Sequence, residues 1–161
     1  MGFKKGHKIH LKHGLCGSLD YNLWKRIKRR CYSKSFSRRD DWGGRGISMF
    51  QDWIDSPVDF INYVSSLDNY RYDNYTLDRI DNDGDYEPGN LRWTSPHTQS
   101  VNKRLNVNNK TGYKGIFKTK CEKYQSMICE KWLGNFNTIE DAVKRRNDYI
   151  IENNLKEYKI Q

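Results

Sequence analysis

Residues 76–104 constrain the fold more than any other stretch, because strand-forming and turn-forming residues alternate there in a fixed order. A β-prone segment ends in the charged pair Asp78-Arg79. A stretch rich in Asp, Asn, Gly and Pro follows, which favours an ordered loop, and residues 91–94 then form a second short strand. This order predicts a small β-hairpin with an acidic residue at the end of its first strand.

A short helix is predicted directly after the hairpin. Ser95 is a suitable N-cap, and Pro96 suits the first helical position because its missing N–H is not needed there. Gln99 and Asn102 are three residues apart and therefore lie on one face of this helix. We expect this helix to pack on the hairpin, with its amides facing the carboxylate of Asp78.

The strand–loop–strand–helix order resembles the HNH endonucleases with a ββα-metal fold, in the form common among phage-borne and homing nucleases. In that family the first strand ends in Asp-His, a central Asn follows, and the helix supplies a further Asn, Gln or His. The matching residues here are Asp78-Arg79, Asn90, and Gln99 or Asn102. Arg79 departs from the usual His, which leaves the general base unidentified.

The resemblance implies hydrolysis of phosphodiester bonds in DNA with Mg²⁺ or Mn²⁺. Mg²⁺ takes oxygen ligands and keeps several waters, so one carboxylate and one amide from the protein are enough. Asp78 is the expected carboxylate ligand, with Gln99 as the first choice of amide and Asn102 as the second. Asn90 is expected to pin the loop by hydrogen bonds to the backbone.

Two residues are alternative candidates for the general base. Arg79 cannot accept a proton because its guanidinium stays protonated, and its expected role is a bidentate clamp on the scissile phosphate. Tyr86 in the loop and His97 in the first turn of the helix both carry side chains that exchange protons. A metal-bound hydroxide acting without a protein base is a third alternative.

The acidic loop allows two other interpretations. A calcium-binding EF-hand requires Asp or Asn at the first loop position and Glu at the twelfth, whereas the first position here would be Arg79 and the twelfth Asn90. The EF-hand therefore fails at two required ligands. A plain hairpin with an acidic turn remains as the alternative to a nuclease site.

The charge of the chain indicates a polyanionic partner. The 161 residues carry a net charge of +9, and aromatic residues make up 14%. We expect double-stranded DNA as the partner of a monomer or homodimer. No apolar run suggests a secretory signal or a membrane span, so a cytoplasmic location in a bacterial or phage-infected cell is expected.

The predicted organisation is α+β with three parts. Residues 1–17 form a basic N-terminal arm, residues 18–106 form the HNH nuclease domain with flanking helices, and residues 107–161 form a second domain. Three histidines of the arm and Cys16 have a spacing similar to that of metal ligands. The basic composition of the arm favours a segment that contacts phosphates, or a solvated tail, over a metal site. Structural zinc is therefore not expected.

Two helices are predicted ahead of the hairpin. Ser18 is the N-cap of the first, which runs to about residue 31 with apolar residues on one face and five cations on the other. The second begins at Ser56-Pro57. The cluster of cations on the first helix favours contact with phosphates.

The C-terminal part is predicted to be a small three-stranded antiparallel sheet followed by a helix. Strands are expected at residues 113–118, 123–129 and 131–136, and Thr138 is the N-cap of the helix. The sequences YKGI at 113–116 and WLGNF at 132–136 resemble the Apetala-two DNA-binding domain, which lays its sheet against the major groove. This resemblance implies DNA contacts from the sheet.

The expected DNA contacts are mostly cations, drawn from the first helix, the Gly-rich turn after it, the end of the hairpin helix and the C-terminal sheet. They are Lys25, Arg26, Arg29, Arg30, Arg45, Lys103, Arg104, Lys114, Lys118, Lys123, Tyr124 and Trp132. The function predicted from all these features is a metal-dependent DNA endonuclease. The alternative is a catalytically inactive DNA-binding protein on an HNH scaffold.

Overall fold

The computed structural model describes residues 14–161, and the three histidines of the predicted arm lie outside them. The chain divides into two compact units, with the boundary between Thr94 and Ser95. Helices and antiparallel sheets both occur, so the predicted α+β class is confirmed. The sequence-based boundary lay after residue 106, whereas the structure includes the irregular segment 103–115 in the second unit.

The elements follow the predicted order. The first unit contains α1 (Leu19–Tyr32), α2 (Gln51–Asp55), α3 (Pro57–Ser66), β1 (Thr76–Arg79) and β2 (Leu91–Thr94). The second unit contains α4 (Pro96–Asn102), β3 (Ile116–Lys118), β4 (Tyr124–Ile128), β5 (Lys131–Phe136) and α5 (Ile139–Glu152). Within residues 14–161, no helix is both long and apolar enough to cross a membrane.

Local capping signals set where the helices of the first unit begin. Ser18 accepts a hydrogen bond from the Tyr21 N–H at 3.2 Å and caps α1 as predicted. Ser56 does the same for α3, accepting from the Asp59 N–H at 3.3 Å. The five-residue helix α2 was not predicted, since a helix this short leaves little periodic signal.

The Gly-rich segment after α1 forms two 3₁₀ turns, Arg39–Asp41 and Gly43–Arg45. A Cβ on Gly43 would lie 1.9 Å from the carbonyl oxygen of Cys31 at the end of α1. Only glycine allows this close approach of two backbones. The segment is therefore a packing feature that fixes the chain leading to residues 47–50.

The core of the first unit is built on large rings. Trp53 packs edge-on against Phe60 with their ring centroids 5.5 Å apart. The indole N–H of Trp93 donates to the Val64 carbonyl at 2.8 Å, which joins β2 to α3. The same core contains Leu23 and Ile27 of α1, so the helices and the hairpin share one apolar centre.

The second unit is an antiparallel sheet covered by α5. The strand order is β3-β4-β5, and Phe117, Gln125 and Asn135 are aligned across it. Thr138 caps α5 by accepting from the Asp141 N–H at 3.2 Å, as predicted. Ile116 packs against Ala142 and Val143 of this helix, while the adjacent Phe117 is half exposed. The predicted three-stranded sheet plus helix is confirmed.

Candidate functional site

The carboxylate of Asp78 lies near the end of β1, next to the loop of the hairpin. Asp78 is the residue that was predicted as the metal ligand. Asp78 pairs in register with Arg92 of β2. The Arg92 Nη2 atom lies 3.4 Å from Asp78 Oδ2, and Asp78 is only 9% exposed. The Nε atom of Arg92 is buried without a hydrogen-bond partner in the described chain. A largely buried carboxylate next to a cation keeps its orientation.

Asn90 braces the loop between the strands. Its Oδ1 atom accepts from the Asp81 N–H at 2.8 Å, and its Nδ2 atom donates to the carbonyls of Asp85 at 2.8 Å and Asp81 at 3.2 Å. The predicted role of Asn90 in pinning the loop by backbone hydrogen bonds is confirmed. One side chain thus fixes both ends of the acidic part of the loop.

A second brace joins this loop to the segment after the 3₁₀ turns. The Asp85 carboxylate accepts from the N–H and the hydroxyl of Ser48, each at 2.7 Å. The backbone of Tyr86 adds two bonds, one to the Ser48 carbonyl at 3.0 Å and one from the Phe50 N–H at 2.8 Å. The contact between Ser48 and Asp85 was not predicted from the sequence. The two residues are 37 positions apart, and no local pattern indicates that they are in contact.

The contacts of Arg79 in the structure differ from the phosphate clamp that was predicted for it. Arg79 is 6% exposed, and its Nη1 atom donates to the Gly84 carbonyl at 2.6 Å. Its guanidinium carbon lies 4.9 Å from the centroid of the Tyr86 ring. A guanidinium held inside the loop is not presented to a phosphate in solution, so its geometry fits a structural brace better than a phosphate clamp.

The same burial argues against Tyr86 as the general base. Tyr86 is 5% exposed and belongs to the core of the first unit. A general base must reach the proton that it removes. Tyr86 therefore serves as a packing residue beneath Arg79.

Helix α4 carries the other predicted site residues and belongs to the second unit. Ser95 caps it by accepting from the Thr98 N–H at 3.2 Å, and Pro96 takes the first position, as predicted. Gln99 is half-buried and Asn102 is buried. Their pairing with Asp78 on a metal ion stays a prediction from the family resemblance.

His97 is the more accessible of the two candidate bases. Its side chain is 57% exposed, and Nε2 lies 3.8 Å from Glu157 Oε1. The Tyr158 hydroxyl lies 3.5 Å from the same nitrogen. A carboxylate and a phenol can orient the imidazole ring and select its tautomer.

The chemistry of the donor set suits Mg²⁺ better than zinc. No group of three or more His, Cys, Asp and Glu side chains suited to a metal ion occurs within residues 14–161. A magnesium site needs fewer protein ligands, so one carboxylate such as that of Asp78 and one amide oxygen would be enough. Burial raises the pKa of the Cys31 thiol to about 12, so this residue stays protonated and is a poor zinc ligand.

The predicted DNA contacts of the first unit differ in accessibility. Lys25, Arg26 and Arg29 are exposed on α1. The Arg30 guanidinium lies over the Trp42 ring at 4.8 Å from its centroid and is half-buried. Arg45 is bound to the carboxylate of Asp83, so contact with DNA would require this ion pair to open.

The predicted contacts of the second unit also divide into two groups. Lys103, Arg104, Lys123 and Trp132 are exposed. Lys114 Nζ donates to the Val101 carbonyl at 2.9 Å, burial lowers the pKa of Lys114, and Lys118 is paired with Glu122. Tyr124 packs against the core formed with α5, which suits packing better than contact with DNA. Phe117 is half exposed and was not predicted as a contact.

Comparison with known proteins matches this chain to no family model, no curated protein and no solved structure.

Proposed function

We propose that this chain is a metal-dependent DNA endonuclease that hydrolyses phosphodiester bonds at the hairpin bearing Asp78. The observation that carries the proposal is the buried Asp78 carboxylate beside Arg92, at the end of a loop braced by Asn90. Catalytic side chains need a fixed orientation of this kind, because a side chain that rotates freely spends less time in the geometry that reacts. The net charge of +9 supports a DNA substrate.

In this proposal Asp78 would hold Mg²⁺ or Mn²⁺, and the family resemblance implies that Gln99 or Asn102 would supply an amide ligand. The metal, when bound, neutralises charge on the phosphate and assists the leaving oxygen. Arg92 keeps the Asp78 carboxylate oriented, and Asn90 holds the loop. His97 is the candidate base, since its imidazole is exposed and imidazole accepts protons near neutral pH.

The second unit is proposed to bind double-stranded DNA through its sheet. Trp132 is 57% exposed and Phe117 is 50% exposed, which is unusual for large rings on a small sheet. The polar residues Gln125 and Asn135 are aligned with Phe117 across the strands. Amide side chains can pair with base edges, and apolar rings can contact thymine methyl groups.

One observation favours a second candidate function, an inactive DNA-binding protein on the same scaffold. Arg79 occupies the position where the resembled family has His, and its guanidinium is turned into the loop. This position therefore offers no proton acceptor. The two candidates differ in whether the chain cuts DNA.

The test is nicking of a supercoiled plasmid with Mg²⁺ or Mn²⁺, comparing the wild type with Asp78→Asn. The substitution keeps the shape of the side chain and removes the charge, so cutting should fall by about 10² or more while DNA binding persists. Asp52→Asn is a matched control, because Asp52 is exposed on α2. Cutting by Asp78→Asn at the wild-type rate would show that the site is misplaced. A wild type that binds DNA but never cuts would support the second candidate.

A further inference from the structure

A groove of about 760 Å³ runs along α1. It extends from Asn22 near the start of the helix to Ser33 at its C-cap, a length of about 16 Å at 1.5 Å per residue. Its lining combines cations with aromatic rings. The lining residues are Asn22, Trp24, Lys25, Arg26, Lys28, Arg29, Tyr32 and Ser33.

The charge of this groove has one sign. Among the lining residues that the structure describes, four are cations and none is acidic. Within residues 14–161, no carboxylate lies within 4.0 Å of the side-chain nitrogens of Lys25, Arg26 or Arg29. Lys28 is held more firmly, because its Nζ atom donates to the Ile54 carbonyl at 2.5 Å and lies 3.8 Å from Asp55. Three cations are thus available to a polyanion.

The two rings of the groove are fixed before any ligand arrives. The Trp24 indole N–H donates to the Trp53 carbonyl at 2.6 Å. The Tyr32 hydroxyl donates to the Met49 carbonyl at 3.2 Å and accepts from the Met49 N–H at 2.9 Å. The Trp24 ring stacks on Tyr21 and lies under the Lys28 ammonium, so it supports the groove and is not open to a base. The Tyr32 ring is held at its polar end by backbone, so a ligand can stack on it without a cost for ordering it.

We propose that this groove binds a single strand of nucleic acid, with phosphates on Lys25, Arg26 and Arg29 and an unpaired base on the Tyr32 ring, which is 44% exposed. Contacts with phosphates would be enough to account for the cations. Duplex DNA keeps its bases stacked on one another, so its bases would not stack on an aromatic ring of the protein. Paired basic and aromatic residues are the lining that single-strand sites use. The site acts in binding and operates whether or not the hairpin cuts.

The test is fluorescence anisotropy with a labelled oligothymidylate and a duplex of equal length, in EDTA so that cleavage plays no part. The wild type should bind the single strand, and Lys25→Gln/Arg26→Gln/Arg29→Gln should weaken this binding at least tenfold. Its slope of log affinity against log salt should fall by about 2, since each single-strand phosphate contact contributes about 0.7. The control Lys110→Gln/Lys144→Gln/Lys156→Gln makes the same charge change at exposed residues outside the groove and should keep the slope.

The ring is tested separately. Tyr32→Ala should weaken single-strand binding about tenfold and leave duplex binding within a factor of two, whereas Tyr32→Phe keeps a stacking face and should retain most of the affinity. Circular dichroism of each variant establishes that α1 is intact. Equal losses in the groove and control triple variants would overturn the proposal, as would equal loss of duplex binding in Tyr32→Ala. Competition by polyglutamate as effective as that by the oligonucleotide would show a general polyanion surface and would also overturn it.

Discussion

Removing the Asn90 side chain should destabilise the first unit by an amount that the loop contacts allow us to calculate. Asn90→Ala removes three hydrogen bonds to the backbone of Asp81 and Asp85. Each is worth about 1 kcal/mol, but Asp81 is exposed and its N–H and carbonyl can turn to water. We therefore expect the free energy of unfolding to fall by about 2 kcal/mol.

Gly84 provides an independent way to disturb the same brace. A Cβ on Gly84 would lie 2.7 Å from Asn90 Nδ2, so Gly84→Ala should displace the Asn90 side chain. It should lower the free energy of unfolding by about as much as Asn90→Ala does. In the double variant there is no Asn90 side chain to displace. The two losses should therefore not add, and the coupling energy should be about 1–2 kcal/mol.

The assay is urea unfolding followed by tryptophan fluorescence, which reports on Trp53 and Trp93 in the core of the first unit. Asn62→Ala on the exposed side of α3 is the matched control and should change stability by less than about 0.5 kcal/mol. The nicking rate of Asn90→Ala should fall more than its stability predicts, because the loop orients the site. Additive losses from Gly84→Ala and Asn90→Ala, or a negligible loss from Asn90→Ala, would refute the reasoning.

Three other measurements test the buried groups of the first unit. Cys31 should not react with a thiol reagent at pH 8 until the chain unfolds, whereas the exposed Cys16 should react at once; rapid labelling of four thiols in the native chain would contradict this. Burial raises the pKa of the Cys31 thiol from 9.0 to about 12, so the folded chain keeps this proton to higher pH than the unfolded chain does. The free energy of unfolding should then decline as pH rises above about 9, and Cys31→Ala should flatten that slope relative to the wild type. Arg79→Ala should lower the free energy of unfolding by about 2–3 kcal/mol, since it removes a charged hydrogen bond to the Gly84 carbonyl and the contact with the Tyr86 ring. A variant with unchanged stability and slower cutting would instead support the predicted phosphate clamp.

The features that the sequence predicted well are those decided by neighbouring residues. Ser18, Ser56, Ser95 and Thr138 were all predicted as N-caps, and each accepts the expected hydrogen bond from a backbone N–H three residues on. The hairpin strand β2 and the sheet strand β5 also match their predicted bounds. Capping and turn formation depend on local chemistry, so a single sequence carries enough information for them.

The features that the sequence did not predict depend on distant parts of the chain. The bond from the Ser48 N–H to Asp85 forms only after the 3₁₀ turns bring residues 47–50 to the loop. Tyr124, which the sequence predicted as a DNA contact, packs instead against the core that the sheet forms with α5. In both cases the side chain is polar or aromatic, and its environment is set by tertiary packing rather than by propensity.

The burial of Arg79 limits the ways in which a hairpin of this kind can activate water. The guanidinium cannot accept a proton, and its bond to the Gly84 carbonyl directs it into the loop. Tyr86 lies beneath it in the core, which leaves His97 as the exposed protein base among the predicted candidates. A pH–rate profile separates the two remaining mechanisms: His97→Gln should abolish the acidic limb if imidazole is the base, whereas a metal-bound hydroxide should keep it. In the proposed mechanism, the candidate protein base is therefore His97 in the first turn of α4 and not a residue of the hairpin strand.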